Sequence, residues 1–146
     1  MLPARTYSVS IDHEWRSLYD RIWRPEFFTR WASGLTESDL RQDGDDWFAD
    51  GPEGPVRIRF TGHNDFGIMD HFVDVGDGQK IHIPLRVIQN DGGAEVMLTL
   101  FRQPGMDAEK FAADARWIHR DLKALKALIE GQSRPDAGLV IHDQRL

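Results

Sequence analysis

The segment Asp107–Glu130 constrains the fold more than any other stretch of the chain. Its apolar residues Phe111, Ala115, Ile118, Leu122, Leu125 and Ile129 recur at steps of four and three, which places them on one stripe of an α-helix. A helix of that length with a single apolar stripe has to lie across something broad. The break Pro104-Gly105 precedes it, and before that break the chain reads as a run of β-hairpins. The pattern predicts a curved antiparallel sheet closing around one long helix, with an apolar cavity between them.

Thr6-Tyr7-Ser8-Val9-Ser10-Ile11 alternates small polar with large apolar residues, the period of a half-buried strand. Asp12 is placed to cap a following helix, since its carboxylate can accept from the free amides of a first turn. Trp15, Leu18, Tyr19 and Ile22 form the stripe of that helix. Pro25 suits the start of a second short helix, Glu26–Ser33, ended by Gly34. Both helices are too short to stand alone and must pack on the sheet. Six further strands are expected at Asp39–Gln42, Asp46–Ala49, Pro55–His63, Phe66–Val75, Gln79–Asn90 and Glu95–Gln103. Their separators, Asp43-Gly44-Asp45, Gly51–Gly54, Asn64-Asp65, Gly76-Asp77-Gly78 and Asp91-Gly92-Gly93, are all turn chemistry. One domain is expected over residues 1–131, with 132–146 as a polar tail containing Pro135 and Gly138.

The order of strand, two short helices, six strands and long helix resembles the helix-grip fold of the SRPBCC (START and Bet v 1-like) superfamily, which includes polyketide cyclase-like proteins. The resemblance covers roughly residues 4–130. Ile68-Met69-Asp70-His71, Pro84-Leu85-Arg86-Val87 and Glu95–Gly105 running into Phe111–Leu128 carry it most specifically. These stretches look like a branch apart from the superfamily's named enzymes. The resemblance implies an α+β fold in which a curved seven-stranded antiparallel sheet wraps around the C-terminal helix, with a ligand cavity inside. It implies no reaction, because similar scaffolds carry transport, sensing, chaperone binding and catalysis.

Composition removes several function classes. The net charge of −6, without a basic run to offset it, argues against a nucleic-acid partner. The absence of cysteine excludes disulfides, thiolate zinc sites and cysteine nucleophiles, and it fits the reducing cytoplasm, which is the expected location. Met1-Leu2-Pro3-Ala4-Arg5-Thr6 lacks the apolar core of a signal peptide, and no apolar stretch approaches the roughly 20 residues of a membrane span. No metal or cofactor is expected. His63, His71 and His82 lie on neighbouring strands without an HExxH motif or a carboxylate-rich loop. Asp43, Asp45 and Asp46 lack the spacing of a calcium loop. Gly51-Pro52-Glu53-Gly54 lacks the lysine and helix of a phosphate loop, and no serine lies in a GxSxG elbow.

Strand pairing can be counted. A two-residue Asn64-Asp65 turn pairs Phe60 with Met69, Ile58 with His71 and Val56 with Val73, all facing inward, and sets Arg59 against Asp70 on the other face. A three-residue Gly76-Asp77-Gly78 loop pairs Val73 with Ile81 and His71 with Ile83, turning Ile81, Ile83, Leu85 and Val87 inward. A two-residue Asp77-Gly78 turn would instead bring His82, Pro84 and Arg86 inside. Val96, Leu98 and Leu100 follow inward on the last strand. Asp114 and Asp121 sit at the edge of the helix stripe, beside Trp117, and Asp114 is placed at the cavity mouth. The expected ligand lining is Phe28, Trp31, Phe60, Met69, His71, Val73, Ile83, Leu85, Leu98, Asp114, Trp117 and Ile118, with Phe28 and Trp31 closing the mouth.

This container suits a small hydrophobic partner molecule, lipid-, polyketide- or aromatic-like, oriented by polar groups such as His71. One alternative is a cyclase or dehydratase in which His71 is the general acid–base, with Arg86 stabilising an enolate if the second register holds. Another is an interaction protein or homodimer that uses an outer patch of Phe72, Ile88, Met97 and Phe101. In that case the five Trp and eight Phe fill the interior.

Overall fold

A computed structural model describes residues 1–36, 38–51 and 54–133. The expected turn centre at Pro52-Glu53 and the expected tail from 134 onward lie outside the described residues. In chain order the elements are β1 (Ala4–Ile11), α1 (Trp15–Ile22), a 3₁₀ turn (Pro25–Arg30), β2 (Arg41–Asp43), β3 (Asp46–Gly51), β4 (Gly54–Phe60), β5 (His71–Asp74), β6 (Lys80–Ile83), β7 (Leu85–Asn90), β8 (Gly93–Phe101) and α2 (Ala108–Ser133).

The α+β architecture with a long C-terminal helix is as expected, but the sheet is not one seven-stranded layer. Its strands fall into a three-stranded sheet, β1-β8-β7, and a five-stranded sheet, β2-β3-β4-β5-β6. Pro84 is the reason. The expected strand Gln79–Asn90 breaks there into β6 and β7, because proline has no N–H to continue a ladder. Its carbonyl still accepts from Thr99 N–H at 3.0 Å, so the two sheets stay bonded across the break. The expected strand Phe66–Val75 shortens to β5 for a related reason. Its first half crosses to the other sheet, with Met69 N–H donating to Leu85 at 2.8 Å and Val87 N–H donating to Gly67 at 2.9 Å. Gly67 holds φ +70° there, and a Cβ would collide with the Val87 carbonyl oxygen, so only glycine fits.

Register decides which side chains face inward. β4 and β5 pair Phe60 with His71, Ile58 with Val73 and Arg59 with Phe72, two residues away from the expected pairing. The loop is longer than a two-residue turn because Asn64 organises it. Asn64 Oδ1 accepts from the Phe66 and Ile68 amides, and Nδ2 donates to the Gly62 and Ile68 carbonyls. A slip of two leaves each side chain on its face, so the inward set survives, while the expected Arg59–Asp70 pair does not form. β5 and β6 pair Val73 with Ile81 and His71 with Ile83, around Gly76 and Gly78, both at positive φ. That is the three-residue loop, and it turns His82 and Arg86 outward.

Glu14, rather than Asp12, caps α1; its carboxylate accepts from the Arg16 and Ser17 amides at 2.9 Å each. The Asp12 amide instead donates to Glu130 Oε2 at 2.9 Å, and Lys126 Nζ donates to both the Ser10 carbonyl and Glu130 at 2.7 Å. These bonds clamp the last turns of α2 to the end of β1. The α2 stripe is buried at Phe111, Leu122, Leu125 and Ile129, the last three in one cluster with Val9, Ile11, Leu18, Ile22 and Val96 among others. Each fully buried Leu or Ile contributes about 1.5–3 kcal/mol. A surface i,i+4 pair such as Lys110–Asp114 contributes only about 0.2–0.5 kcal/mol, so burial holds the helix in place. Among the described residues, no helix is long and apolar enough to cross a membrane.

Candidate functional site: an aromatic-walled cavity

A cavity of about 170 Å³ lies between the sheets and α2. Phe28, Trp31, Ala32 and Leu35 wall one side, Phe60, His71, Ile83, Leu85, Leu98 and Leu100 come from the strands, and Ile118, Asp121 and Leu122 come from α2. Phe28 and Trp31 are three residues apart at the 3₁₀ turn, where that spacing brings side chains to one face. Their rings lie 5.5 Å apart between centroids. Phe28 also packs at 4.9 Å on Phe60 and 5.4 Å on His71, and Phe60 lies 5.5 Å from His71. An aromatic cluster therefore forms one end of the cavity.

Three polar side chains contribute to this wall, each in an unusual state. His71 Nδ1 lies 3.1 Å from the Met69 carbonyl oxygen, and because a carbonyl only accepts, Nδ1 carries the proton. Burial pushes the His71 pKa below its ordinary 6.5, against the opposing Met69 bond. The ring is neutral near pH 7, and Nε2 offers a lone pair. Asp121 is raised above its ordinary 3.8, because loss of water outweighs hydrogen bonds from the Ser33 hydroxyl and amide. Trp31 is 3% exposed, and among the described residues its indole Nε1 is a buried side-chain polar atom with no hydrogen-bond partner.

The wall brings together Phe28, Trp31, Phe60, His71, Ile83, Leu85, Leu98 and Ile118 from the expected lining. Met69 is buried in the adjoining core and Val73 lies farther along β5, and neither borders the cavity. Asp114 is drawn to Lys110 Nζ at 2.8 Å. Trp117 is 40% exposed on an outer groove shared with Arg30, Arg120, Trp31 and Asp121. The carboxylate that reaches the cavity is thus Asp121, one turn after Ile118, and not Asp114. Leu100 follows from the alternation of β8, and Leu122 from the helix stripe. Ala32 and Leu35 carried no periodic signal, because they lie in irregular chain after the 3₁₀ turn. Arg86 points away from the cavity and donates to Asp70 Oδ2 at 2.9 Å.

On the outer face, Phe72 stacks on His82 at 4.7 Å and His82 on Phe101 at 6.1 Å. Arg57 pairs with Asp74 at 2.8 Å beside this row, and Arg59 with Asp46 at 3.0 Å. Among the described residues, no group of three or more His, Asp or Glu side chains is arranged to hold a metal ion.

No family model matches the chain, and no curated protein matches it in sequence. Solved structures are similar in shape. XoxI from Bacillus cereus superposes with a TM-score of 0.71 at 14% identity, over 91% of this chain and 99% of that one. Ara h 8.0201 gives 0.66 at 11% identity, over 90% and 99%. The di-domain ARO/CYC BexL from the BE-7585A biosynthetic pathway gives 0.68 at 15% identity, over 92% of this chain and 48% of that one. At such identities the shared property is the fold.

Proposed function

We propose, from the Bet v 1-like helix-grip fold that this chain shares with Ara h 8.0201 and BexL, that it binds one small, largely apolar molecule between its sheets and α2. What carries this reading is the cavity itself, about 170 Å³ walled mainly by apolar and aromatic side chains. Apolar surface removed from water supplies the affinity at about 25 cal/mol per Å², less the costs of immobilising the ligand. The volume narrows the ligand class. A dry cavity of about 150 Å³ accepts benzene, whereas pockets for drug-sized molecules run to about 300–1,000 Å³. An aromatic ligand of single-ring size suits this space better than a lipid or a polyketide.

Native mass spectrometry of protein purified from its own host, followed by denaturing extraction, tests the reading. A retained apolar small molecule is expected. Protein that is empty, and whose cavity resonances do not respond to benzene, would overturn it.

A second reading is supported by His71, which lines the cavity and, with Nδ1 on the Met69 carbonyl, keeps Nε2 as its acceptor for a ligand proton. In that cyclase- or dehydratase-type reading His71→Ala abolishes turnover while ligand affinity changes little. Arg86 has no part in it, since it faces outward on Asp70.

A further inference from the structure

We propose that a second, open cleft of this protein binds a neutral saccharide, packed against Trp47 and held at its hydroxyl groups by Arg24, Glu26 and Asp45. The inference goes beyond the cavity reading and does not depend on it.

The cleft encloses about 530 Å³ where the start of the 3₁₀ turn meets the β2–β4 end of the five-stranded sheet. That volume lies within the about 300–1,000 Å³ of small-molecule sites. Register explains the sheet's share of the wall. Gln42 stands opposite Trp47, and Trp47 opposite Ile58, so these three lie on the same face as Phe60, two residues after Ile58. It is the inner face, since Ile58 is buried and Phe60 also borders the cavity. Trp47 stands edge-on to Phe60 at 6.3 Å between centroids and stays partly exposed. The other wall is Trp23 at the end of α1 with Arg24, Pro25 and Glu26.

The cleft joins flat apolar surface to polar groups of both signs. Arg24, Glu26 and Asp45 are exposed and form no ion pair among the described residues, whereas Arg59 is already paired with Asp46 at 3.0 Å. Arg24 lies over the Trp23 ring, 5.0 Å from its centroid, which keeps the guanidinium at the wall. A sugar ring has the matching two-sided chemistry. Its C–H face packs on an indole, and its hydroxyls both donate and accept. Carboxylates and a guanidinium are strong partners for them, because a charged partner roughly doubles a hydrogen bond's strength. The opening to solvent leaves the remaining hydroxyls in water and avoids the cost of burying them.

Charge sorts the alternatives. An anion would find Arg24 set against Glu26 and Asp45, on a chain whose net charge is −6. A quaternary ammonium favours aromatic faces, but Arg24 already occupies a face of Trp23.

The test is a titration of the intact protein followed by ¹⁵N NMR. The probes are maltose, cellobiose and lactose as neutral sugars, glucose 6-phosphate as an anion and choline as a cation. The Trp47 indole resonance is assigned through Trp47→Phe. At least one disaccharide should move it with a dissociation constant on the order of 1 mM, as befits a cleft that leaves much of its ligand in water. That sugar should bind about tenfold more weakly to Trp47→Ala and about fivefold more weakly to Asp45→Ala. Glucose 6-phosphate and choline should both bind more weakly than the sugar. An indole resonance that no sugar moves overturns the inference, and so does tighter binding of either charged probe. Sugar binding that both variants retain in full overturns the assignment to this cleft. Should Trp47→Ala not fold, Asp45→Ala, at an exposed turn between β2 and β3, decides the matter. Benzene shifts at the Leu98 and Ile118 methyls report on the cavity, so the two readings fail separately.

Discussion

The carboxylate of Asp70 accepts from the backbone N–H of Leu85 at 2.9 Å, taking the place of a strand carbonyl where the two sheets part. Its other oxygen accepts from Arg86 Nη2 at the same distance. Burial alone would raise the pKa of Asp70, but the bonds from Arg86 and Leu85 outweigh it and hold the group below its ordinary 3.8. One side chain thus completes the ladder that Pro84 interrupts.

Asp70→Ala should therefore cost about 1–3 kcal/mol, because it strands the Leu85 amide. Asp70→Asn keeps an acceptor and gives up only the charge facing a half-exposed arginine, so it should cost less than about 1 kcal/mol. Urea unfolding at neutral pH measures both. The folded pKa is the lower one, so the charged group's contribution is full above the unfolded value and is lost as pH falls through the folded value. Asp70→Asn should therefore approach the parent protein in strongly acidic buffer, whereas Asp70→Ala keeps the cost of the Leu85 amide that a protonated carboxyl still answers.

His71 gives a pH dependence of opposite chemistry in a different window. Its folded pKa lies below the unfolded 6.5, so the unfolded chain takes up a proton first on acidification. Stability should fall as pH drops from about 6.5 towards the folded value and level off beneath it. Asp70 opposes the depression and His82 adds to it, and both remain when His71 is replaced. Asp121, raised above 3.8, contributes the reverse slope, with stability falling as pH rises through its window. The difference between parent and His71→Phe unfolding midpoints, measured across this range, isolates the histidine. A flat difference would contradict the assignment of a neutral, half-buried ring.

Leu122 is fully buried and borders the cavity. Leu122→Ala should cost about 2–5 kcal/mol and extend the cavity into the helix. Thermal unfolding reads the loss. Benzene binding in the variant, relative to the parent, reads the new space.

How much of this was legible in the chain depended on what makes each contact. The β5–β6 register followed from Gly76-Asp77-Gly78 and the alternation of Ile81 and Ile83, because local backbone freedom and burial pointed the same way. The β4–β5 register did not, since Asn64 side-chain bonds shape the loop and hydropathy does not register them. Apolar alternation runs through Pro84 unbroken, so the division of the sheet was hidden behind residues that look continuous. Asp114 and Asp121 share a helix edge, and what distinguishes them is a lysine one turn before Asp114 and depth along the sheet. The lack of a partner for the Trp31 N–H among the described residues is a three-dimensional fact with no signature in residue order.

Gly67→Ala should be among the most damaging small substitutions. The positive φ alone costs a β-carbon about 1–2 kcal/mol, and the Val87 carbonyl in its path forces β7 to move. We expect a loss above about 2 kcal/mol in urea unfolding. The Met69 and Val87 amides should exchange with solvent faster than in the parent.

The outer row offers a test of self-association. Phe72 is 43% exposed while it stacks on His82, so a charge at this position repels a partner surface with little loss of core. If copies of the chain pair through this face, sedimentation should show concentration-dependent dimers that Phe72→Asp abolishes. A monomer at all concentrations would remove the homodimer reading.

Among the described residues β1 pairs only with β8, with Ala4 opposite Phe101 and Ile11 opposite Ala94. A ribosome adding about 5–20 residues per second therefore leaves the first strand without a mate for several seconds. Throughout that interval Tyr7, Val9 and Ile11 are greasy flags on a nascent chain, open to chaperones and to other polysomes. β1 can be sealed only once β8 has been made, and the helix clamp at Ser10 can close only after that.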